Sequence, residues 1–351
     1  MEHHGGDWVG YTREYGAEPL DFSANVSPLG LPEGVRRAAE AALRQADRYP
    51  DGHCRALREA LGQRFAIDPA QIVCGSGAAD LIHRLPRALH CTSALLPTPC
   101  FTEYEAALHA SGCAVRRVPL SAERDFTVTT DLLEAVEPGL DLLLLAQPNN
   151  PTGRSVEPAL LRALLRRCAE TGTMLVVDEC FVELMEQPED MSLAGELKRS
   201  ETLILLRAFT KSYAMAGLRL GYALCGSTAL AERLEEAGAP WAVSSIAQAA
   251  GLAALREDGY VKRLRALIRQ QRPILYEGLT ALGCRCVPGE ANFLLFYYPD
   301  TELCDKLRKR GLLLRDARDF VGLGPGWYRC AVRTEEENRV LLRTMEEVLQ
   351  A

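Results

Sequence analysis

The chain has 351 residues, 48% of them hydrophobic and 25% charged, proportions that exclude a disordered or fibrous protein and allow one large domain with a smaller companion. Forty basic against 47 acidic side chains leave a net charge of −7, so no overall field draws the molecule to nucleic acid or to an anionic membrane, and an anionic ligand must be met by a local site. The basic residues are skewed: five are lysines (Lys198, Lys211, Lys262, Lys306, Lys309) and 35 are arginines.

The opening segment, MEHHGGDWVGYTREYG, has no basic stretch leading into an apolar one, and the longest apolar run, 142–146, falls far short of the ~20 residues of a membrane span. A cytoplasmic protein is expected. His3 and His4 have no partner at metal-ligand spacing, and twelve cysteines without a CxxC pair are expected to be reduced core residues. Strand-like runs then alternate with helical patterns. The runs are QIVC (71–74), SALLP (93–97), CAVRRV (113–118), LLLLA (142–146), MLVVD (174–178), LILLR (203–207) and YALC (222–225), with helical spacing at 77–90, 101–111 and 157–171. This alternation predicts an α/β domain whose largely parallel sheet is covered on both faces, with binding residues at the carboxyl ends of its strands. From about residue 235 the pattern changes to helices at 229–238 and 244–282, then short strands (CRCV, NFLLFYY, GLLLR, WYRCAVR) and a closing helix at 334–349. The expected division is 1–48 as an N-terminal arm with part of a small domain, 49–235 as the large α/β domain, and 236–351 as the rest of the small α+β domain. No repeat or low-complexity linker interrupts it.

Four lysines lie in charge-rich, helix-like stretches and read as solvated. Lys211 instead follows the apolar run in ETLILLRAFTKS, with Arg219 eight residues on in GLRLGY. Two further strand ends are unusual. DLLLLAQPNNPTG presents Asn149 and Asn150 in a turn, and TGTMLVVDECF buries Asp178 after four apolar residues, 33 residues before Lys211. In this order and spacing the three motifs resemble the fold-type I pyridoxal-phosphate enzymes, the aspartate aminotransferase superfamily, over nearly the whole chain. The resemblance implies a large, mostly parallel seven-stranded sheet domain, a smaller α+β domain, and pyridoxal 5'-phosphate as cofactor. A lysine amine is needed as the nucleophile toward the cofactor aldehyde, and a carboxylate is needed to keep the pyridine nitrogen protonated, so that the ring accepts electrons from the substrate Cα. Those roles fall to Lys211 and Asp178, with Asn150 on the ring's phenolic oxygen. Tyr104, in PTPCFTEYEAAL, matches the aromatic that stacks on the ring. The cofactor phosphate is assigned to Ser76, Gly77 and Ala78 at a helix start, where small residues allow close approach, with Thr210 and Arg219. Ala208 stands where many relatives carry a hydroxyl. Tyr49, in DRYPDG, matches the tyrosine lent to a neighbouring subunit's phosphate and implies a homodimer.

For the substrate, Arg329 in WYRCAVR matches the superfamily's α-carboxylate arginine, with Arg333 as competitor, and Arg315 is a cation for a second anionic group. His4-Gly5-Gly6 followed by LDFSANVSPLGLP, with Asn25, resembles the threonine-phosphate decarboxylases of cobalamin biosynthesis. In that likeness His4 and Gly5 help hold a substrate phosphate, and Asn25 lines the pocket. Phe181 in DECF also matches them, whereas histidinol-phosphate aminotransferases usually carry tyrosine there. The expectation is a decarboxylase of L-threonine O-3-phosphate, with transamination of histidinol phosphate as the alternative. A DNA-binding regulator built on the same fold is disfavoured by the acidic charge and by the 20 residues before DFSAN.

Overall fold

The computed structural model describes residues 4–350, so His3 lies outside the described residues. Its strands are β1 (Leu20–Asp21), β2 (Ile72–Gly75), β3 (Ser93–Thr98), β4 (Ala114–Pro119), β5 (Leu142–Ala146), β6 (Met174–Asp178), β7 (Leu203–Ala208), β8 (Gly221–Cys225), β9 (Arg285–Cys286), β10 (Phe293–Tyr297), β11 (Leu312–Leu313), β12 (Arg315–Asp316) and β13 (Trp327–Ala331). Seven of them form one sheet in the order β2-β8-β7-β6-β5-β3-β4. The pairs from β7 through β4 are parallel, and β8 runs antiparallel to both β7 and β2.

The central strands are buried along their length because helices cover both sheet faces, which is why their sequences run continuously apolar rather than alternating. Alternate residues nevertheless separate into two cores. Leu143, Leu145, Leu175, Val177, Leu203 and Leu205 pack on one face with the helix Pro158–Thr171. Leu142, Leu144, Val176, Ile204 and Leu206 pack on the other with the helix Ala78–Ala88. At the edge, β4 exposes Arg116 and Arg117, charges that discourage pairing with another chain.

A second sheet, β12-β13-β10-β9, is antiparallel. It packs with Leu275 and Leu279 of the helix Asp258–Ala281 and Leu341 and Met345 of the closing helix Glu335–Gln350. The N-terminal segment joins this unit, since β1 pairs in parallel with β11 and the Ala331 amide donates to the Phe22 carbonyl at 2.8 Å.

Two expected elements divide. The helical stretch 244–282 forms two helices, Ser245–Ala254 and Asp258–Ala281, the first capped by the Ser244 hydroxyl. The run GLLLR splits at Leu314 because Leu312–Leu313 pairs with β1 while Arg315–Asp316 pairs with β13. The helix Trp8–Tyr15, capped by Asp7 and closed by Gly16 at φ 73°, was not visible in the apolar pattern: only Tyr11 of it is buried. All twelve cysteines are free thiols and ten are buried, as core residues. Among the described residues no helix is long and apolar enough to cross a membrane, and no cluster of His, Cys, Asp and Glu is placed to hold a metal ion.

Candidate active site

The carboxyl ends of β5, β6 and β7 open into a cavity of about 590 Å³, closed on the far side by the small sheet and by the N-terminal segment. A hollow of about 660 Å³ lies elsewhere, lined by Arg64, Glu183, Tyr213 and Arg265 among others. It holds none of the strand-end residues named above, whereas the smaller cavity gathers Asn150, Asp178 and Lys211, so the smaller cavity is the better binding site.

Each strand end delivers one functional group. At the end of β6, Asp178 is 8% exposed, and its carboxylate accepts from the Tyr104 hydroxyl at 2.7 Å and from the Cys180 amide at 3.0 Å. Burial, and then the neighbouring Asp178 charge, push the Tyr104 phenol well above its usual range, so the tyrosine stays neutral and donates. At the end of β7 the chain turns into the short helix Phe209–Ser212, which carries Lys211 into the cavity. Burial, followed by the charge of Arg329, lowers the lysine pKa from 10.5 to about 8, because both disfavour the ammonium form. The other four lysines are exposed.

After β2, the Ser76 amide donates to Asp80 Oδ2 at 2.8 Å, which shapes the loop into the helix Ala78–Ala88. Gly77 has φ +82°, and a Cβ there would lie 2.6 Å from Arg219 Nη2. The loop, the helix N-terminus and the guanidinium therefore leave a side-chain-free cradle beside Ala78, Thr210 and Arg219, all of which line the cavity.

On the opposite wall, β12 and β13 place Arg315 directly across from Arg329. Both are buried, at 7% and 6% exposure. Arg315 is held by Asp319 Oδ2 at 2.7 Å and lies 5.0 Å from the Phe320 ring centroid. Arg329 donates to Asn150 Oδ1 at 2.5 Å and to the Ser23 carbonyl at 2.8 Å, and its Nε has no partner. Burial and the facing Arg315 charge push the Arg329 pKa down to about 9; an anion entering between the two arginines relieves that penalty. Arg333 is turned away, donating to the Asp21 carbonyl at 3.0 Å and to Glu337 at 2.6 Å.

His4, Gly5 and Asn25 also line the cavity, and Asn25 Oδ1 is buried without a partner. Tyr49 does not reach it. It stands 81% exposed, stacked on Trp241 at 4.6 Å. Glu103, Phe101 and Phe320, which carry no distinguishing signal in the sequence, also line the wall. Glu103 adjoins Tyr104 in the first turn of a helix, a position that marks it only as a charge suited to the helix dipole.

These features define the class of the protein. The profile of the aminotransferase class I and II family matches residues 17–345, and the chain belongs to that family, the fold-type I pyridoxal-phosphate group. Threonine-phosphate decarboxylase from Salmonella typhimurium is 35% identical over 352 aligned positions, covering 99% of this chain and 96% of the relative. Histidinol-phosphate aminotransferase from Symbiobacterium thermophilum is 37% identical over 346, covering 96% and 92%. In structure, the histidinol-phosphate aminotransferase of Clostridium acetobutylicum superposes with a TM-score of 0.87 at 26% identity, covering 94% of this chain and 99% of the other.

Proposed function

We propose that this protein is a pyridoxal-phosphate-dependent decarboxylase of L-threonine O-3-phosphate, yielding 1-amino-2-propanol O-2-phosphate and carbon dioxide in cobalamin biosynthesis. Relatives of both activities match at similar identity, so the residues facing the substrate carry the choice. The observation that carries it is the facing pair Arg315 and Arg329, two buried guanidiniums in one cavity. Threonine phosphate brings a carboxylate and a phosphate to them in one molecule, whereas histidinol phosphate has no carboxylate and its transamination meets two anionic groups at once only in the second substrate, 2-oxoglutarate. Phe181, whose ring centroid is 5.9 Å from Lys211 Nζ, offers no hydroxyl at that point.

The residues present fit the cofactor. The glycine cradle with Arg219 suits a phosphate, Asp178 is a buried acceptor for a pyridinium N–H, and Lys211 is an amine poised to react with an aldehyde. When bound, pyridoxal phosphate supplies a protonated ring that accepts the electron pair left at the substrate Cα. Asp178 holds that ring nitrogen in its charged form, Asn150 meets the phenolic oxygen, and Tyr104 lies against the ring. Ser76, Gly77, Ala78, Thr210 and Arg219 hold the phosphate. Arg329 would bind the substrate carboxylate, and Arg315, His4 and the Gly5 amide would bind its phosphate, so that the two anchors together fix the orientation of the Cα–carboxylate bond. That bond breaks, carbon dioxide leaves, and Lys211 delivers a proton to Cα. Tyr49 and Trp241 form an exposed aromatic pair suited to a homodimer in which Tyr49 reaches the neighbouring site.

At pH 7 an amine of pKa about 8 is ~10% free base, against ~0.03% for an unperturbed lysine. Because the free amine is the reactive form, capture of pyridoxal phosphate by the apoprotein is expected to speed up about fivefold from pH 7 to pH 8 and level off near pH 9. Stopped-flow absorbance measures it, and a tenfold rise per pH unit continuing past 9.5 contradicts a depressed pKa. Replacing Arg315 by methionine is expected to raise KM for threonine phosphate by roughly 10- to 100-fold, the loss of a charged hydrogen bond of ~1.5–3 kcal/mol, while unphosphorylated threonine changes less than about threefold. Equal losses reject a phosphate role. The reading itself is tested by offering the holoenzyme threonine phosphate, and separately histidinol phosphate with 2-oxoglutarate; transamination without decarboxylation overturns it.

A further inference from the structure

The N-terminal residues 4–6 cross the cavity wall from one sheet unit to the other. At one end, the Gly6 amide donates to the Ser23 hydroxyl at 2.8 Å, and Gly5 lies so close that a Cβ would meet the Ser23 carbonyl oxygen at 2.2 Å. That same carbonyl accepts from Arg329. At the other end, His4 Nε2 bonds Glu103 Oε1 at 2.9 Å, across 99 residues of sequence, and the second carboxylate oxygen, Oε2, bonds His83 Nε2 at 2.9 Å. The His4 ring also faces Phe101, with centroids 6.1 Å apart. Glu103 sits on the helix Thr102–Ala110, immediately before Tyr104.

We propose that Glu103 is a positioning residue that draws His4–Gly6 across the substrate cavity and fixes the His4 ring there, with His83 orienting the carboxylate from behind. The role of the strap in substrate binding rests on the cavity being the substrate site as read above. The chemistry follows from the donor set. A carboxylate accepts only, so each imidazole must present its Nε2 as N–H, leaving His4 Nδ1 as the ring atom free to turn to a ligand. A neutral His4 held this way has only a lone pair at Nδ1, which repels a phosphate oxygen. A protonated ring would present Nδ1 as a donor as well, and the Glu103 contact is charge-assisted in either form because its acceptor is a carboxylate. The charged or titratable groups facing the Glu103 carboxylate are the two imidazoles. Both imidazoles are largely exposed, which limits each contact to the strength of a surface ion pair.

The test uses the holoenzyme with two variants. Glu103→Leu removes the latch and Glu103→Gln removes its charge while keeping a hydrogen-bonding group. For Glu103→Leu, hydrogen exchange in a peptide covering residues 4–16 is expected to accelerate about fivefold, and KM for threonine phosphate to rise about fivefold with kcat within about twofold. The cofactor absorbance is expected to stay as in the parent. For Glu103→Gln, which keeps a hydrogen-bonding group facing both imidazoles, exchange and KM are expected to lie between those of the parent and those of Glu103→Leu. Unchanged exchange in Glu103→Leu, a loss confined to kcat, or a Glu103→Gln variant no nearer the parent than Glu103→Leu each overturns the proposal. The exchange readout needs no substrate, so failure of the decarboxylase reading shows separately, as a parent enzyme that does not turn over threonine phosphate.

Discussion

Replacing Lys211 by alanine is expected to reduce turnover by about 10⁴-fold, the upper end of what a positioned acid-base group supplies, and to remove the visible absorbance that the lysine gives the bound cofactor. The size of the effect follows from two roles in one atom. On the proposed reading the amine would react with the cofactor aldehyde and would also be the acid-base group nearest the substrate Cα. No neighbour can substitute. The remaining cations of the wall, Arg219, Arg315 and Arg329, are guanidiniums, which do not act as nucleophiles. The protein is expected to fold as before, since Lys211 makes no ion pair among those found between described residues, and its burial as a cation costs stability rather than adding to it. Activity within about tenfold of the parent would reject the assignment.

Replacing Asp178 by asparagine is expected to cost about 10³-fold in kcat with little change in substrate KM. Opposed unit charges ~4 Å apart at an effective dielectric near 20 interact by ~4 kcal/mol, and each 1.4 kcal/mol is about tenfold in rate. Asparagine keeps the shape: its single oxygen can still accept from the Cys180 amide, and its NH2 can donate to the Tyr104 hydroxyl oxygen in place of the bond that Asp178 accepts there, so the loss reports charge rather than packing. Parallel losses in kcat and thermal stability would instead mark Asp178 as a structural carboxylate.

How much of this was legible in the sequence depended on the range over which each feature is encoded. The strand ends at Asn150, Asp178 and Lys211 are local: a buried strand needs a continuous apolar run, and the polar residue that ends it stands out. Their convergence followed because parallel strands align their carboxyl ends. The pairing of Arg315 with Arg329 was not readable as a contact, since it depends on the register of two strands and on β11 and β12 taking different partners. The competition between Arg329 and Arg333 was open for the same reason; the two differ in which way the β13 end turns, with Arg333 drawn to Asp21 and Glu337. Glu103 had no distinguishing sequence signal, because its partners lie 99 and 20 residues away in chain order. Tyr49 is a different case. It lies on the surface, stacked on Trp241, and only the proposed homodimer would give it a part in a site.

The most direct measurement of the central claim is the fate of carboxyl-labelled L-threonine O-3-phosphate given to the pyridoxal-phosphate-loaded enzyme without any oxo acid. The account predicts one labelled carbon dioxide released for each 1-amino-2-propanol O-2-phosphate formed. Label retained in the substrate, with amino transfer appearing only when 2-oxoglutarate is added, would contradict it.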